Sequence, residues 1–281
     1  MSWPVSVLGA GIMGAGIAVV LAEAGHEVRL FDTRPEVAEA VASRHPGIEA
    51  YADLAGAVTG TTLVLEAVVE DLAVKHALYA EVERHAGDAP IASNTSSLVP
   101  SVLAAGLQDP GRLVIVHFFN PADVVPLVEV VPSPATRPEI VDDVVALLRA
   151  AGKLVVPLAR EVPGFVANRL QAALVREALH LVREGVATPE LVDTVVTGGL
   201  GPRWAAAGPF SVLDLGGLDT WRSLTAVIFP DLADDDAAPP ELVAAVESGD
   251  LGAKTGRGFH EHTPEGDERT RAAVRRAFVR D

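Results

Sequence analysis

The polar residues that could do chemistry fall in three short segments, each bordering an apolar run. These segments are Glu66–Asp71, Ser93–Ser97 and His117–Pro121, the last followed by Leu127–Val130. In open α/β sheets, ligands bind at the carboxyl ends of the strands. A neutral imidazole can accept the hydroxyl proton that a secondary alcohol must lose when it gives up a hydride. Because His117 ends an apolar run and has an acid, Glu129, downstream, we predict that it is a catalytic base.

A glycine-rich turn follows the first apolar run. Gly9-Ala10-Gly11-Ile12-Met13-Gly14 matches the G-x-G-x-x-G pattern at a predicted strand-to-helix junction. The first glycine permits the tight turn, the second lets the backbone approach a pyrophosphate, and the third lets helix pack on strand. Asp32 ends the second strand roughly 20 residues later, where an acid accepts hydrogen bonds from ribose hydroxyls. The predicted cofactor contacts here are Gly9, Gly11, Ile12, Met13, Gly14 and Asp32.

Asp32 also bears on which dinucleotide binds. Its carboxylate would repel a 2′-phosphate, which favours NAD over NADP. Arg34, two residues later, could weaken this preference.

The elements that must position these residues alternate between short apolar runs and helical patterns, which is typical of βαβ units. The predicted strands are Val5–Leu8, Glu27–Phe31, Thr62–Glu66, Ile91–Ser93, Leu113–His117, Leu127–Val131 and Lys153–Pro157. The predicted helices are Met13–Ala24, Pro35–Arg44, Leu72–His85 and Glu139–Ala151. The fold class is therefore α/β, a Rossmann-type doubly wound sheet with the last two strands at its far end.

After Val162-Pro163-Gly164 the pattern becomes helical, beginning with Phe165–Gly185. We predict two domains, an NAD-binding Rossmann domain over residues 1–162 and an all-α domain over residues 163–281 for substrate binding and dimerisation. The long amphipathic first helix permits pairing with a second copy, so a homodimer is expected.

Composition excludes several kinds of site and partner. The chain has no cysteine, which excludes disulfides, thiolate nucleophiles and cysteine-ligated metals. Its formal net charge of −16 opposes binding to nucleic acid or to an anionic membrane. No apolar stretch approaches the ~20 residues that span a bilayer, and no basic leader precedes Val5. We therefore expect a soluble cytoplasmic protein.

Two histidines in the tail have a spacing that some metal sites use. His260 and His262 form an H-x-H. No supporting acid or third histidine accompanies them in the sequence, so no metal site is predicted.

Six motifs occur in order along the chain: G-x-G-x-M-G, E-A-V-x-E, S-N-T-S-S, H-F-F-N-P, L-V-E-V and P-G-F-x-x-N-R. On these motifs the chain resembles the L-3-hydroxyacyl-CoA dehydrogenase family over nearly its whole length. The resemblance implies an NAD-dependent oxidoreductase of fatty acid metabolism. It would interconvert an L-3-hydroxyacyl thioester, carried on coenzyme A or an acyl carrier protein, and the 3-oxoacyl form.

The resemblance also implies roles for individual residues. His117 would be the acid/base and Glu129 would orient it, while Ser96 and Asn168 would bond the substrate oxygen. The further cofactor contacts would be Glu70 and Lys75 near the nicotinamide ribose, Asn94, and Lys254 from the second domain. Without the resemblance, Glu70 and Lys75 could be ordinary surface charges.

Two features depart from the family. Only 33 residues, 33–65, separate Asp32 from Glu66, too few for the helical hairpin that helps the family hold coenzyme A. The segments Gly199–Trp204 and Val125-Pro126 resemble the branch of L-gulonate 3-dehydrogenase, λ-crystallin and carnitine dehydrogenase, whose substrates are free hydroxy acids. The alternative function is therefore a dehydrogenase of a small free 3-hydroxy acid.

Under this alternative, Arg203 could bind a substrate carboxylate bidentately. A surface arginine at the carboxyl end of a helix is an equal alternative for this residue.

Two other classes of function, a hydrolase and a non-catalytic NAD-binding protein, are compatible with some of these residues. Ser96, His117 and Glu129 could formally make a hydrolase triad, but the serine lacks the G-x-S-x-G elbow that such sheets use. A non-catalytic NAD-binding protein is the other, and the full set of predicted catalytic residues disfavours it.

Overall fold

The computed structural model describes residues 3–278. The chain divides into two compact units. Of the described residues, 3–169 and 274–278 form unit 1, and Leu170–Ala273 form unit 2. The predicted domain boundary near residue 162 lies a few residues before this division and stays a prediction.

Unit 1 contains one eight-stranded sheet in the order β3-β2-β1-β4-β5-β6-β7-β8. Its strands are β1 (Pro4–Leu8), β2 (Glu27–Phe31), β3 (Ile48–Tyr51), β4 (Leu63–Glu66), β5 (Ile91–Ser93), β6 (Leu113–Phe118), β7 (Leu127–Pro132) and β8 (Leu154–Pro157). Neighbouring strands are parallel, except that β6 and β7 are antiparallel. The predicted doubly wound sheet is confirmed, and its last two strands lie at the far edge.

Helices cover the sheet in two groups, each with its own buried apolar cluster. The helices are α1 (Ile12–Glu23), α2 (Pro35–Ala42), α3 (Leu54–Val58), α4 (Leu72–His85), α5 (Pro100–Ala104) and α6 (Pro138–Ala150). Residues of α1, α2 and α6 belong to one cluster, and residues of α3, α4 and α5 belong to the other. All six residues of β6 are buried, as expected for a strand covered on both faces.

Unit 2 is helical, which confirms the predicted change of pattern. Its elements are α7 (Ala167–Arg183), which begins in unit 1, α8 (Pro189–Val195), α9 (Gly201–Ala206), α10 (Pro209–Gly216), α11 (Leu218–Ile228), α12 (Pro240–Glu247) and α13 (Pro264–Phe278), which ends in unit 1. Among residues 170–273, all of which the structure describes, the only buried apolar side chains are Leu179, Val212 and Ala233. No helix between residues 3 and 278 is both long and apolar enough to cross a membrane.

Candidate active site

His117 and Glu129 meet across two antiparallel strands. They are direct partners in the β6–β7 ladder, and His117 Nδ1 lies 3.0 Å from Glu129 Oε2. Both side chains are buried. Because an ionised carboxylate can only accept hydrogen bonds, the proton resides on Nδ1 and Nε2 keeps a lone pair. The pair therefore presents a nitrogen that can take up a proton.

The second oxygen of Glu129 holds the start of α7. Oε1 accepts the backbone N–H groups of Val166 and Ala167, each at 3.0 Å. Burial alone would raise the pKa of Glu129, but hydrogen bonds from His117 and these two N–H groups outweigh it and lower the pKa. Glu129 is therefore ionised at neutral pH and can stabilise an imidazolium on His117.

Two aromatic rings flank the His117 imidazole. The ring centroids of Phe119 and Phe165 lie 4.6 Å and 5.3 Å from that of His117. Phe165 is fully buried and has a φ of 53°, in the left-handed region, which costs a non-glycine residue about 1 kcal/mol or more. The surrounding packing must hold this turn, which directs the next two N–H groups toward Glu129.

Ser96 and Asn168 are brought together within unit 1. Asn168 Nδ2 donates to the backbone carbonyl of Ser96 at 3.3 Å. Asn168 directly follows Ala167, so Glu129 fixes both His117 and the helix turn that carries Asn168. Ser96 is exposed, which leaves it accessible to a substrate.

The predicted pair Glu70 and Lys75 is not an ordinary pair of surface charges. Lys75 Nζ lies 2.6 Å from Glu66 Oε1 and 3.3 Å from Glu70 Oε2, and the lysine side chain is only 1% exposed. The surface interpretation of Lys75 is therefore wrong. Glu66, which we did not single out as a site residue, is fully buried beside it. Its sequence signals were its place at the carboxyl end of β4 and its position as the first acid of the E-A-V-x-E motif.

Asn94 connects two strand ends. Its Oδ1 accepts the N–H of Phe118 at 2.9 Å, and its own N–H donates to the carbonyl of Glu66. These contacts hold the end of β5 beside Phe118, the residue that follows His117. A direct contact of Asn94 with the cofactor stays a prediction.

The glycine turn has one crowded side and one open side. Gly9 has a φ of 97°, and a Cβ on Gly14 would lie 1.8 Å from the carbonyl oxygen of Gly9, so both positions require glycine. A Cβ on Gly11 would meet nothing within 4 Å. Because Gly11 caps the amino terminus of α1, where the first N–H groups lack partners within the helix, the open side fits a pyrophosphate.

The other predicted dinucleotide contacts flank this turn. Asp32 Oδ2 accepts the N–H of Ala10 at 2.8 Å, and Oδ1 accepts the N–H of Arg34 at 2.9 Å. Each oxygen keeps a further lone pair for a ribose hydroxyl. Ile12 is 81% exposed, whereas Met13 packs against the core. The residues present therefore fit an NAD ribose and pyrophosphate.

Two predicted residues lie in unit 2. Lys254 is exposed in a turn closed by the bridge between Gly252 and Arg257. Arg203 is exposed in α9. Their contacts with cofactor and substrate stay predictions.

The histidine pair of the tail does have acids beside it. His260 Nε2 lies 2.9 Å from Asp193 Oδ2, and His262 Nδ1 lies 2.7 Å from Asp267 Oδ1. The expectation of no supporting acid is wrong, because α8 brings Asp193 from 67 positions away. Within residues 3–278, no three histidine or carboxylate side chains are grouped as a metal ion would require.

The sequence matches both models of one family. The model described as "3-hydroxyacyl-CoA dehydrogenase, NAD binding domain" matches residues 4–46 and 38–162. The model described as "3-hydroxyacyl-CoA dehydrogenase, C-terminal domain" matches residues 164–262.

Individual relatives differ in their named substrates. The chain is 33% identical to 5-formyl-3-hydroxy-2-methylpyridine 4-carboxylate 5-dehydrogenase of Mesorhizobium japonicum, over 98% of this chain and 96% of the relative. It is 39% identical to the lambda-crystallin homolog of Bos taurus, over 75% of this chain and 73% of the relative.

Solved structures give a similar result. A structure named for the same pyridine carboxylate dehydrogenase, and described as an NAD⁺-dependent dismutase, matches with a TM-score of 0.93 and 32% identity, over 99% of this chain and 96% of that one. A 3-hydroxyacyl-CoA dehydrogenase from Archaeoglobus fulgidus matches with a TM-score of 0.76 and 34% identity, over 98% and 97%.

These matches confirm the family and the cofactor that the six motifs predicted. The glycine turn, Asp32 and the His117–Glu129 pair give that family assignment a physical basis. The chain belongs to the 3-hydroxyacyl-CoA dehydrogenase family and is an NAD-dependent oxidoreductase.

Proposed function

We propose that this chain oxidises a small free carboxylic acid at a hydroxyl group, with His117 as the base. The observation that carries the proposal is the likeness to the pyridine carboxylate dehydrogenase, whose TM-score of 0.93 exceeds the 0.76 of the CoA-named enzyme. This choice reverses the order that the family resemblance alone implied.

The compact connection between Asp32 and Glu66 supports a free acid. It contains α2, β3 and α3, and residues of all three pack in the two apolar clusters of the sheet. No separate helical arm stands in this part of the chain, all of which the structure describes. In the family, such an arm helps to hold coenzyme A.

The reaction follows from the geometry of the pair. The Gly9–Gly14 turn and Asp32 would hold NAD⁺, which would supply the acceptor for the hydride that leaves the carbinol carbon. His117 Nε2 takes the hydroxyl proton, while Glu129 holds the tautomer and balances the imidazolium charge. Ser96 and Asn168 hold the substrate oxygen. An aldehyde offers the same chemistry after hydration, because its gem-diol carries both the hydroxyl and the C–H hydrogen.

A substrate panel tests the proposal. NADH formation is followed with L-gulonate, L-carnitine, a 5-formylpyridine carboxylate and L-3-hydroxybutyryl groups on coenzyme A and on an acyl carrier protein. Turnover of a free acid or aldehyde, with little turnover of either thioester, is expected. Turnover confined to the thioesters contradicts the proposal.

The second candidate is the L-3-hydroxyacyl thioester, carried on coenzyme A or an acyl carrier protein. The family models that match nearly the whole chain are named for this activity, which favours it. It would place the enzyme in fatty acid metabolism, and the same panel decides between the two.

Arg203 is the proposed carboxylate-binding residue for a free acid. Arg203→Met should raise KM for an acid substrate at least about tenfold, because a bidentate guanidinium–carboxylate contact is lost. The matched control is Arg222→Met, which removes another exposed arginine of unit 2. Equal KM values for the two variants would show that Arg203 does not bind the substrate carboxylate.

A homodimer belongs to the same proposal. Unit 2 buries only three apolar side chains, while Phe210, Leu215 and Val227 are 82%, 84% and 76% exposed. These side chains lie on two helices that contact each other, and monomeric proteins rarely leave large apolar patches uncovered. Helices α10 and α11, which carry these three residues, would be covered by a second copy.

Sedimentation tests the dimer. We expect a dimer at micromolar concentration, and dissociation or loss of helical content in Phe210→Glu. Arg271→Glu, at an exposed position of α13 and therefore outside α10 and α11, should leave the dimer intact. A monomeric wild-type protein contradicts this part of the proposal. Cytoplasmic location stays a prediction, which fractionation of expressing cells tests.

A further inference from the structure

Glu66 is a buried carboxylate with a complete set of donors. Its Oε1 accepts Lys75 Nζ at 2.6 Å and the N–H of Val68 at 2.8 Å. Its Oε2 accepts the Tyr79 hydroxyl at 2.6 Å and the Ser93 hydroxyl at 2.7 Å. Four donors on a side chain with no exposed surface are what a buried anion requires.

The site lies where the strand order reverses. Glu66 ends β4, which pairs with β1 on one side and with β5 on the other. Dinucleotides cross an open sheet at this switch point between β1 and β4. Burial and the neighbouring Glu66 raise the pKa of Tyr79 far above its ordinary value, so the phenol remains a donor.

Lys75 links Glu66 to a second carboxylate, that of Glu70. Its Nζ also lies 3.3 Å from Glu70 Oε2, so the ammonium stands between two acids. With a side chain that is 1% exposed, Lys75 has almost no surface to offer a ligand. Its position makes it a bridge between Glu66 and Glu70.

Glu70 accepts several hydrogen bonds from the segment that carries Ser96. Its Oε1 accepts the N–H groups of Ser96 and Ser97 at 3.2 Å each, the Ser97 hydroxyl at 2.9 Å and the Thr95 hydroxyl. Burial opposes ionisation, but the Thr95 and Ser97 hydroxyls and Lys75 lower the pKa of Glu70. One oxygen of a carboxylate thus contacts three consecutive residues, two of them through their backbone N–H groups.

We propose that Glu66 is a positioning residue that sets Ser96 through Lys75 and Glu70. It touches no substrate itself. The inference rests on the proposed function only in the role given to Ser96, because the chain of contacts is a property of the folded protein.

The test removes both buried charges together. A lone Lys75→Met leaves two acids without their cation, which is strongly destabilising, whereas loss of both partners of a buried pair is often tolerated. In Lys75→Met/Glu66→Gln, hydrogen exchange at the Ser96 and Ser97 amides should rise about tenfold, because Glu70 loses its anchor. The Asn94 amide, which donates to the Glu66 backbone carbonyl, serves as the internal reference.

Two single variants of Glu66 serve as a control and as a replacement for the double variant. Glu66→Gln alone keeps a side-chain oxygen that can accept from Lys75 Nζ, so Lys75 should stay in place and the two serine amides should stay protected. Should the double variant not fold, Glu66→Met replaces it in the same measurement. Wild-type protection of both serine amides in the double variant, or in Glu66→Met where the double variant does not fold, overturns the proposal, even where no substrate has been found.

Kinetics add a readout that a purely structural role would not move. With a substrate in hand, the double variant should lose about tenfold or more in kcat/KM, whereas the conservative Glu66→Gln should keep most of it. Full kcat/KM together with fast exchange at the serine amides would also overturn the link to Ser96.

Discussion

His117 and Glu129 stand opposite each other in the β6–β7 ladder, with Nδ1 and Oε2 3.0 Å apart. Their separation of 12 residues follows from this geometry, because an antiparallel pair joined by a loop places two such positions side by side. The same carboxylate accepts the N–H groups of Val166 and Ala167 at the start of α7. A single side chain therefore orients the base and the helix turn that carries Asn168.

Replacing the base should abolish most of the activity without unfolding the protein. His117→Gln keeps a polar side chain opposite Glu129 but cannot take up the substrate proton, so kcat should fall about 10²- to 10⁴-fold. The Kd for NAD⁺ should stay near the wild-type value, which isothermal titration checks. Unchanged rates would show that a group other than His117 takes up the substrate proton.

Ser96→Ala separates dehydrogenation from hydrolysis. As a substrate contact, the hydroxyl contributes a hydrogen bond, so kcat/KM for oxidation should fall about tenfold and remain measurable. A serine-reactive phosphonate should leave the wild-type protein unlabelled. Covalent labelling at Ser96 would revive the hydrolase alternative.

Protonation of Glu129 in acid should lower the stability of the folded protein. Its pKa in the folded state is below the ordinary value of 4.5, so its contribution to stability is complete above that pH and is lost as the pH falls through the folded-state pKa. Glu129→Gln should cost about 1–3 kcal/mol at pH 7, because Gln cannot accept from His117 and from both backbone N–H groups at once. The difference from wild type in urea unfolding should shrink below pH 4.5; a difference independent of pH would contradict the assignment.

Much of unit 1 could be predicted because the relevant signals are local. Strand runs, the glycine turn and Asp32 lie within short stretches whose periodicity and turn chemistry act over a few residues. The structure confirms the seven predicted strands and four predicted helices of this unit to within about two residues at each end.

The buried network was missed because its contacts are long in sequence. Tyr79 and Ser93 reach Glu66 from 13 and 27 positions away, so the E-A-V-x-E motif gives no sign of which acid is buried. Glu70 and Lys75 are five apart, a spacing equally typical of a solvated pair. Only the packing of α4 against β4 and β5 distinguishes the two.

Cofactor choice should depend on the charge of Asp32. Asp32→Asn keeps one oxygen for the N–H groups of Ala10 and Arg34 but no longer repels a 2′-phosphate. The ratio of the Kd for NADP⁺ to that for NAD⁺ should fall at least about tenfold. Isothermal titration with both cofactors measures it, and an unchanged ratio would show that another residue selects NAD.

Two glycines of the same turn should respond oppositely to a single methyl group. In Gly14→Ala the new Cβ would lie 1.8 Å from the Gly9 carbonyl oxygen, so α1 must move off β1 and the protein should be strongly destabilised or insoluble. In Gly11→Ala the methyl meets no protein atom within 4 Å, so the melting temperature should stay close to wild type. The methyl would instead occupy the space into which a pyrophosphate must come, so the Kd for NAD⁺ should rise at least about tenfold. A Gly11→Ala variant that binds NAD⁺ as tightly as wild type would move the pyrophosphate away from this turn.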